Sequence, residues 1–206
     1  MRIRLATTGD AAAIHAIYAP IVRETTISFE WEPPSVDEIA SRIDTTPTNG
    51  YPWLIAQDDD GVAGYAYAGR FRYRAAYDWA AETSVYVDAR RHRAGVGRAL
   101  YGELLRVLER QGYRSAYGIM TLPNGGSEAL HRALGFVEVG RFPRVGWKLG
   151  AWHDVAVWRV ALGDAATEPA PLRPVAEALA RQGIASSSPQ PSASMRTPTK
   201  NSPNSP

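Results

Sequence analysis

One stretch limits what this chain can fold into more than any other: Val85-Tyr86-Val87-Asp88-Ala89-Arg90-Arg91-His92-Arg93-Ala94-Gly95-Val96-Gly97-Arg98-Ala99-Leu100. A β-branched and aromatic run leads into a loop dense in arginine. Gly95-Val96-Gly97 then opens a helical pattern with Leu100, Leu104, Leu105 and Leu108 on one side. Glycine lets a backbone approach a ligand closely. The unpaired N–H groups of a first helical turn, with the helix dipole, suit phosphate oxygens. Arg90, Arg91, Arg93 and Arg98 add positive charge around the same point. Two other glycine-rich readings fail: the Walker pattern needs Gly-Lys-Ser/Thr, and a dinucleotide fingerprint needs three glycines where two stand. The competing reading is a glycine turn on a solvated basic surface.

The rest of the chain supplies partners for that strand and helix. Ile3 to Ala6 reads as a strand. Asp10 to Val22 puts Ala13, Ile14, Ile17, Ile21 and Val22 on one helical face. Ser35-Val36-Asp37-Glu38 is a capping box that opens a second helix to about Ile43. Trp53 to Ala56 and Val62 to Ala68 flank the turn Asp58-Asp59-Asp60-Gly61 as a hairpin. Residues 69–80, rich in arginine and aromatics, read as a loop or short helix. Thr83 to Val87 is a strand, Arg98 to Gln111 a helix, Tyr113 to Met120 a strand and Ser127 to Leu134 a helix. Phe136 to Phe142 and Asp154 to Leu162 are the last two strands. The expected class is α/β or α+β, with one mixed sheet and helices on its faces.

Composition sets the boundary. All six Trp, ten Tyr and four Phe precede Gly163, and eight of the fifteen Pro follow it. Residues 1–163 are therefore expected to form the domain. Residues 164–206 are expected to form a disordered Pro/Ser-rich tail, at most with a short helix near Val175 to Arg181. Cys is absent, which excludes thiolate metal sites and cysteine nucleophiles. The four His lack ligand spacing with one another, so no metal is expected. A net charge of +2 argues against a dedicated nucleic-acid binder. No apolar run approaches the ~20 residues of a membrane span, and no secretory signal pattern opens the chain. A soluble cytoplasmic protein without a membrane partner is the expectation.

Taken together, the motifs resemble the GCN5-related N-acetyltransferase superfamily. Its cofactor loop, Arg/Gln-x-x-Gly-x-Gly/Ala, matches His92-Arg93-Ala94-Gly95-Val96-Gly97, with His92 departing at the first position. Its second element matches Asn124-Gly125-Gly126-Ser127, His131 and Leu134-Gly135-Phe136, with His131 where Tyr is usual. More narrowly, the chain resembles the phosphinothricin N-acetyltransferase family. The matching stretches include Glu24 to Phe29, Tyr51-Pro52-Trp53-Leu54, Gly64 to Gly69, Ala76-Tyr77-Asp78-Trp79 and Glu82 to Val87. They continue with Leu122-Pro123-Asn124 and Gly150 to Val155. His131 is itself a feature of that family.

The resemblance implies a GNAT fold with a splayed cofactor strand, and acetyl-CoA as co-substrate. Arg93, Ala94, Gly95, Val96, Gly97 and Arg98 would face the pyrophosphate. The backbone of Val85, Tyr86 and Val87 would pair with the pantetheine amides, and an N–H near Val85 or Tyr86 would meet the oxyanion. Asn124 and Ser127 would touch the cofactor; the alternative for Asn124 is a helix cap. Glu82 would be the general base for an acceptor ammonium, since partial burial raises a carboxyl pKa towards neutrality. A solvated strand-end Glu is the bland alternative. His131 would protonate the leaving thiolate, or else be a half-buried helical His bonded to a carbonyl. Arg72 and Arg74, with Tyr77, Thr26 and Phe29, would bind a doubly negative amino acid, since guanidinium forks fit carboxylate and phosphinate. Lys148 is a further possible contact.

The activity implied is acetyl transfer to the α-amino group of phosphinothricin or a related glutamate-like amino acid such as methionine sulfoximine or sulfone. Another small amine, a protein N-terminus, or a non-catalytic acetyl-CoA sensor are the alternatives. Family members form homodimers, so a homodimer is expected.

Overall fold

The computed structural model describes residues 1–48, 50–164 and 167–180. Seven strands and five helices follow in the order β1 (Arg2–Leu5), α1 (Ala11–Glu24), α2 (Val36–Thr48), β2 (Trp53–Asp58), β3 (Gly61–Arg70), β4 (Ala80–Val87), α3 (Val96–Gln111), β5 (Ser115–Thr121), α4 (Gly125–Ala133), β6 (Val137–Lys148), β7 (Ala151–Ala161) and α5 (Val175–Ala180). The strands form one sheet, ordered β1-β2-β3-β4-β5-β7-β6. Every pairing is antiparallel except β4 with β5, which is parallel. The mixed sheet expected from the sequence is therefore present.

Alternation along the central strands sorts two cores. Leu54, Ala66, Ala68 and Ala81 meet Leu100, Tyr101, Leu104 and Leu108 of α3. Trp53, Ile55 and Tyr65 meet Ile14, Ile17 and Val22 of α1 and Ile39 and Ile43 of α2. Side chains two apart on a strand share a face, so each strand feeds both layers. The alanines under α3 let that helix lie close to the sheet. Gly112 ends α3 at φ +103, its N–H bonded to the carbonyls of Leu108 and Glu109, in keeping with the glycine preference of left-handed helix caps.

Two regions depart from the sequence expectation. The last hairpin is longer than Phe136 to Phe142 and Asp154 to Leu162: β6 runs on to Lys148, and Leu149 and Gly150, both at positive φ, make a two-residue turn. Pro143 reads as a strand breaker. Here it falls in an irregular stretch between Phe142 and Gly146, where the Arg144 N–H donates to the Asp154 carboxylate at 2.8 Å instead of to a neighbouring strand.

The boundary at Gly163 also falls inside packed structure. Val175, Ala178 and Leu179 of α5 are buried against Val107 of α3. The Trp79 indole N–H donates to the Ala170 carbonyl at 2.8 Å, and the Arg173 N–H to that of Gln111 at 2.8 Å. Three apolar side chains at helical spacing suffice for docking in a segment otherwise poor in them. The remainder of the expected tail, residues 181–206, lies outside the described residues. No helix among the described residues is long and apolar enough to cross a membrane.

Candidate active site

The sheet forks between β4 and β5. β4 stays in register with β3 from Gly64–Val87 to Arg70–Ala81. It pairs with β5 only at Ala80–Ser115, Ala81–Ala116 and Glu82–Tyr117. Beyond that last pair, β4 runs to Val87 and β5 to Thr121 without a shared register. An unpaired strand edge can add an extended ligand as an extra strand. Val85, Tyr86 and Val87 lie on this edge. Val85 and Val87 pack against the α3 core. The Tyr86 ring sits on the other face, edge-on to Tyr18 at 5.0 Å and stacked on Tyr65 at 5.2 Å. Their side chains are spent on packing, and the backbone is what remains to offer.

The fork leads to the glycine loop. Arg93 (φ +63) and Gly95 (φ +80) both adopt left-handed backbone, a geometry that turns successive N–H groups inward. Gly95 is the N-cap of α3 and supplies no side-chain cap, and the first turn holds no acidic residue. Arg98 stands in that turn, where a cation opposes the helix dipole. An anion there would satisfy both the amides and the arginine. The surrounding basic charge is smaller than the sequence implies. Arg90 is folded onto Asp88, whose carboxyl it holds at about 2, and Arg91 pairs with Asp58 and Asp60. The His92 ring nitrogen lies 3.2 Å from the Val87 carbonyl and ties the loop to the strand end.

Glu82 lies not at the start of its strand but inside β4, at the last residue paired with β5. It is half-buried, and burial raises its pKa above the ordinary glutamate value; the nearby Arg72 charge opposes the rise. It shares its side of β4 with Ser84 and Tyr86. Its cross-strand partner Gly69 lines a cavity of about 540 Å³, together with Arg42, Trp53, Tyr67, Arg70 and Tyr73.

His131 approaches the fork from the opposite face. It is 4% exposed. Its Nδ1 lies 2.8 Å from the Ser127 carbonyl, and its Nε2 lies 3.1 Å from the Tyr101 hydroxyl. Thr83 completes the row, with its Oγ1 2.8 Å from the Tyr101 hydroxyl and 3.0 Å from the Tyr117 carbonyl. A carbonyl only accepts, so Nδ1 carries a proton, and Nε2 of the neutral ring accepts from Tyr101. In the imidazolium every member donates onward, from His131 to Tyr101, to Thr83, to the Tyr117 carbonyl. Burial lowers the His131 pKa, and the Ser127 carbonyl partly offsets this. Gly118 makes the room: a Cβ there would lie 2.2 Å from His131 Nε2.

Of the other expected contacts, Asn124 caps α4 through its side-chain oxygen, which accepts from the Ser127 N–H at 3.1 Å. Ser127 faces His131, its Oγ 3.3 Å from Nδ1. Phe71 stacks on Tyr117 at 4.0 Å and carries the Arg72 guanidinium 4.9 Å above its ring. This brings Arg72 towards Glu82. Tyr77 meets Phe71 edge-on at 6.2 Å; it and Arg74 are exposed. Thr26 is half-buried, and Phe29 lies against Gly146 of β6. Lys148 is buried and bonded to two backbone carbonyls, not turned to the solvent-facing mouth. Tyr101 and Thr83 went unnoticed in the sequence. The available signal was a phenol at a core position of α3, which needs a buried partner.

Residues 3–157 match the family model described as an acetyltransferase (GNAT) domain. The chain belongs to the GNAT acetyltransferase family. Within that family it is 39% identical over 177 residues to the phosphinothricin N-acetyltransferase of Streptomyces viridochromogenes, covering 86% of this chain and 96% of the relative. It is 31% identical to the L-methionine sulfoximine/L-methionine sulfone acetyltransferase of Salmonella typhimurium, covering 80% and 96%. Among solved structures, the GNAT phosphinothricin acetyltransferase of Sinorhizobium meliloti in complex with acetyl-CoA superposes with a TM-score of 0.79 at 38% identity, covering 82% of this chain and 92% of that one. The fold and family expected from the sequence are those found, and the relatives make this GNAT protein an acyltransferase that uses acetyl-CoA.

Proposed function

We propose that this acetyltransferase acts on the α-amino group of phosphinothricin or a glutamate-like amino acid such as methionine sulfoximine or sulfone, working in the cytoplasm. The observation that carries the reading is the fork. An anion-ready helix end stands at its open side, and a carboxyl with a raised pKa stands at its apex. Acetyl-CoA, when bound, supplies the activated acetyl group. The amides of residues 93–98 hold its diphosphate, and the β4 edge from Val85 to Val87 pairs with its extended arm. Asn124 and Ser127 border the same channel.

Glu82 takes the proton from the acceptor ammonium, freeing the nitrogen lone pair for attack. A backbone N–H near Val85 or Tyr86 donates to the developing oxyanion. His131, in its imidazolium form, supplies the proton for the leaving sulfur. Arg72 and Arg74 neutralise the acceptor's two acidic groups, and Thr26, Phe29 and Tyr77 close around it. The support for this acceptor class is the pairing of relatives named for phosphinothricin and methionine sulfoximine with a guanidinium near Glu82. No metal takes part in these steps. The exposed apolar side chains of the last hairpin, among them Phe142, Val145, Trp147 and Trp152, are the surface we assign to a second copy in a homodimer. Light scattering should then give twice 22.5 kDa.

The test is release of free thiol from acetyl-CoA over a panel of amines. Phosphinothricin, methionine sulfoximine and methionine sulfone are expected to give the highest kcat/KM. A preference for peptide N-termini would redirect the acceptor. Tight acetyl-CoA binding with no thiol release from any amine would make the protein a sensor.

A further inference from the structure

Lys148 stands where lysine is rarely found. It ends β6 at 4% exposure, and its Nζ donates to the carbonyls of Val22 at 2.6 Å and Ser28 at 2.5 Å. Burial lowers its pKa, and Glu30 pulls the other way. Val22 is in the last turns of α1 and Ser28 is in the connection from α1 to α2. A strand at the far edge of the sheet therefore reaches back to hold the loop that carries Thr26 and Phe29.

The same loop is gripped at two other points, and one of the gripping side chains is itself packed on the forked strand. Ser28 Oγ lies 2.7 Å from the Tyr18 hydroxyl. The Glu30 carboxylate accepts from Arg42 of α2 at 2.8 Å. The Tyr18 ring packs edge-on against Tyr86 of the forked strand. Between these ties, Phe29 lies on Gly146, two residues before Lys148 on β6. A Cβ at Gly146 would stand 2.2 Å from both Cε2 and Cζ of the Phe29 ring. A buried ammonium costs desolvation that its carbonyl bonds only partly return. A methionine would fill the space more cheaply. What the ammonium adds is a fixed geometry, since two carbonyls six residues apart must both reach one nitrogen.

We infer that Lys148 and Gly146 are positioning residues that hold Phe29 and the Ser28–Glu30 segment at one distance from β4, and so select which acceptor side chain fits beside Glu82. This rests on the function proposed above and adds the two β6 positions to it. Neither residue touches the acceptor; both act through Phe29.

The test is steady-state kinetics of Lys148→Met and Gly146→Ala in the full chain, with acetyl-CoA and the amino-acid panel varied in turn. Displacing a pocket wall by about 1 Å can cost up to ~100-fold. The acceptor KM is expected to rise about 10-fold or more, with the acetyl-CoA KM within about twofold and the ranking of acceptors changed. Phe29→Leu should relieve much of the Gly146→Ala effect, because the clash is with the ring. Folded variants with an unmoved acceptor KM, or with both KM values rising alike, overturn the inference. Should Lys148→Met not fold, the Gly146–Phe29 cycle decides, and strict additivity overturns the inference. An inactive wild type would strike the proposed function instead, whereas an active wild type with an unmoved acceptor KM strikes the clamp alone.

Discussion

The two sides of the fork are built from different materials. The side we assign to the coenzyme is backbone: an unpaired stretch of β4, two left-handed residues in the loop, and the uncapped first turn of α3. It needs glycines at set positions and little else, and it is continuous in sequence over sixteen residues. The acceptor side is side chain. As proposed, it gathers Phe29 from the α1–α2 connection, Arg72 and Phe71 from the β3–β4 connection and Arg42 from α2, with Gly146 and Lys148 of β6 behind Phe29. A diphosphate is the same for every member of a coenzyme-A-using fold, so its site is local and fixed. An acceptor differs, and a site assembled from distant segments changes by single substitutions without disturbing the other half.

That contrast is sharpest at its largest expected effect. Glu82→Gln removes the base but keeps the shape, and should lower kcat about 10²–10⁴-fold with the acetyl-CoA KM near wild type. A near-native kcat in the purified variant would remove Glu82 from the chemistry. His131→Phe should lower kcat about 10²-fold and delete one limb of the pH–rate profile. A profile that keeps both limbs would leave the His131–Tyr101–Thr83 row a packing feature.

Smaller effects separate the two sides directly. Gly95→Val forces a β-branched residue into φ +80, where left-handed backbone costs roughly 1–2 kcal/mol. It should raise the acetyl-CoA KM about 10-fold and spare the acceptor KM, the mirror image of the β6 variants. Equal rises in both constants would erase the distinction. Smallest is the pH effect of Arg72→Met. Burial raises the Glu82 pKa and the Arg72 charge lowers it, so removing that charge raises it further. The base must be ionised to act, so the acidic limb of kcat/KM should move to higher pH. A limb that stays, or moves down, would mean that the titrating group is not Glu82.

The same division explains what could be read before the structure was seen. Strand, loop, glycines and helix from Val85 to Leu100 were legible because local propensity and local function agree there. The sheet class followed from periodicity. The length of the last hairpin did not, because Pro143 is a breaker in any local reading and only the Asp154 carboxylate, ten residues on, accommodates the irregular stretch at Arg144. The helix of α5 was expected near Val175 to Arg181, but its docking was not: that rests on Val175, Ala178 and Leu179 meeting Val107, a long-range contact in a composition that reads as tail. Glu82 and His131 were named by resemblance, yet no pattern shows that they reach the fork from opposite faces. Tyr101 was invisible as a candidate position, and Lys148 was read as a direct contact with the acceptor, for one reason: the buried partners of each are brought together only by the fold.

The central claim is that the diphosphate of the coenzyme rests on the amides entering α3 while its thioester lies in the β4–β5 fork beside Glu82. A crystal structure of the coenzyme A complex tests it most directly. The account predicts diphosphate oxygens within hydrogen-bond distance of backbone N–H groups of residues 93–98 and the sulfur between the two diverging strands. A ligand bound elsewhere, or strands 4 and 5 closed into continuous register with Glu82 turned away, would contradict it.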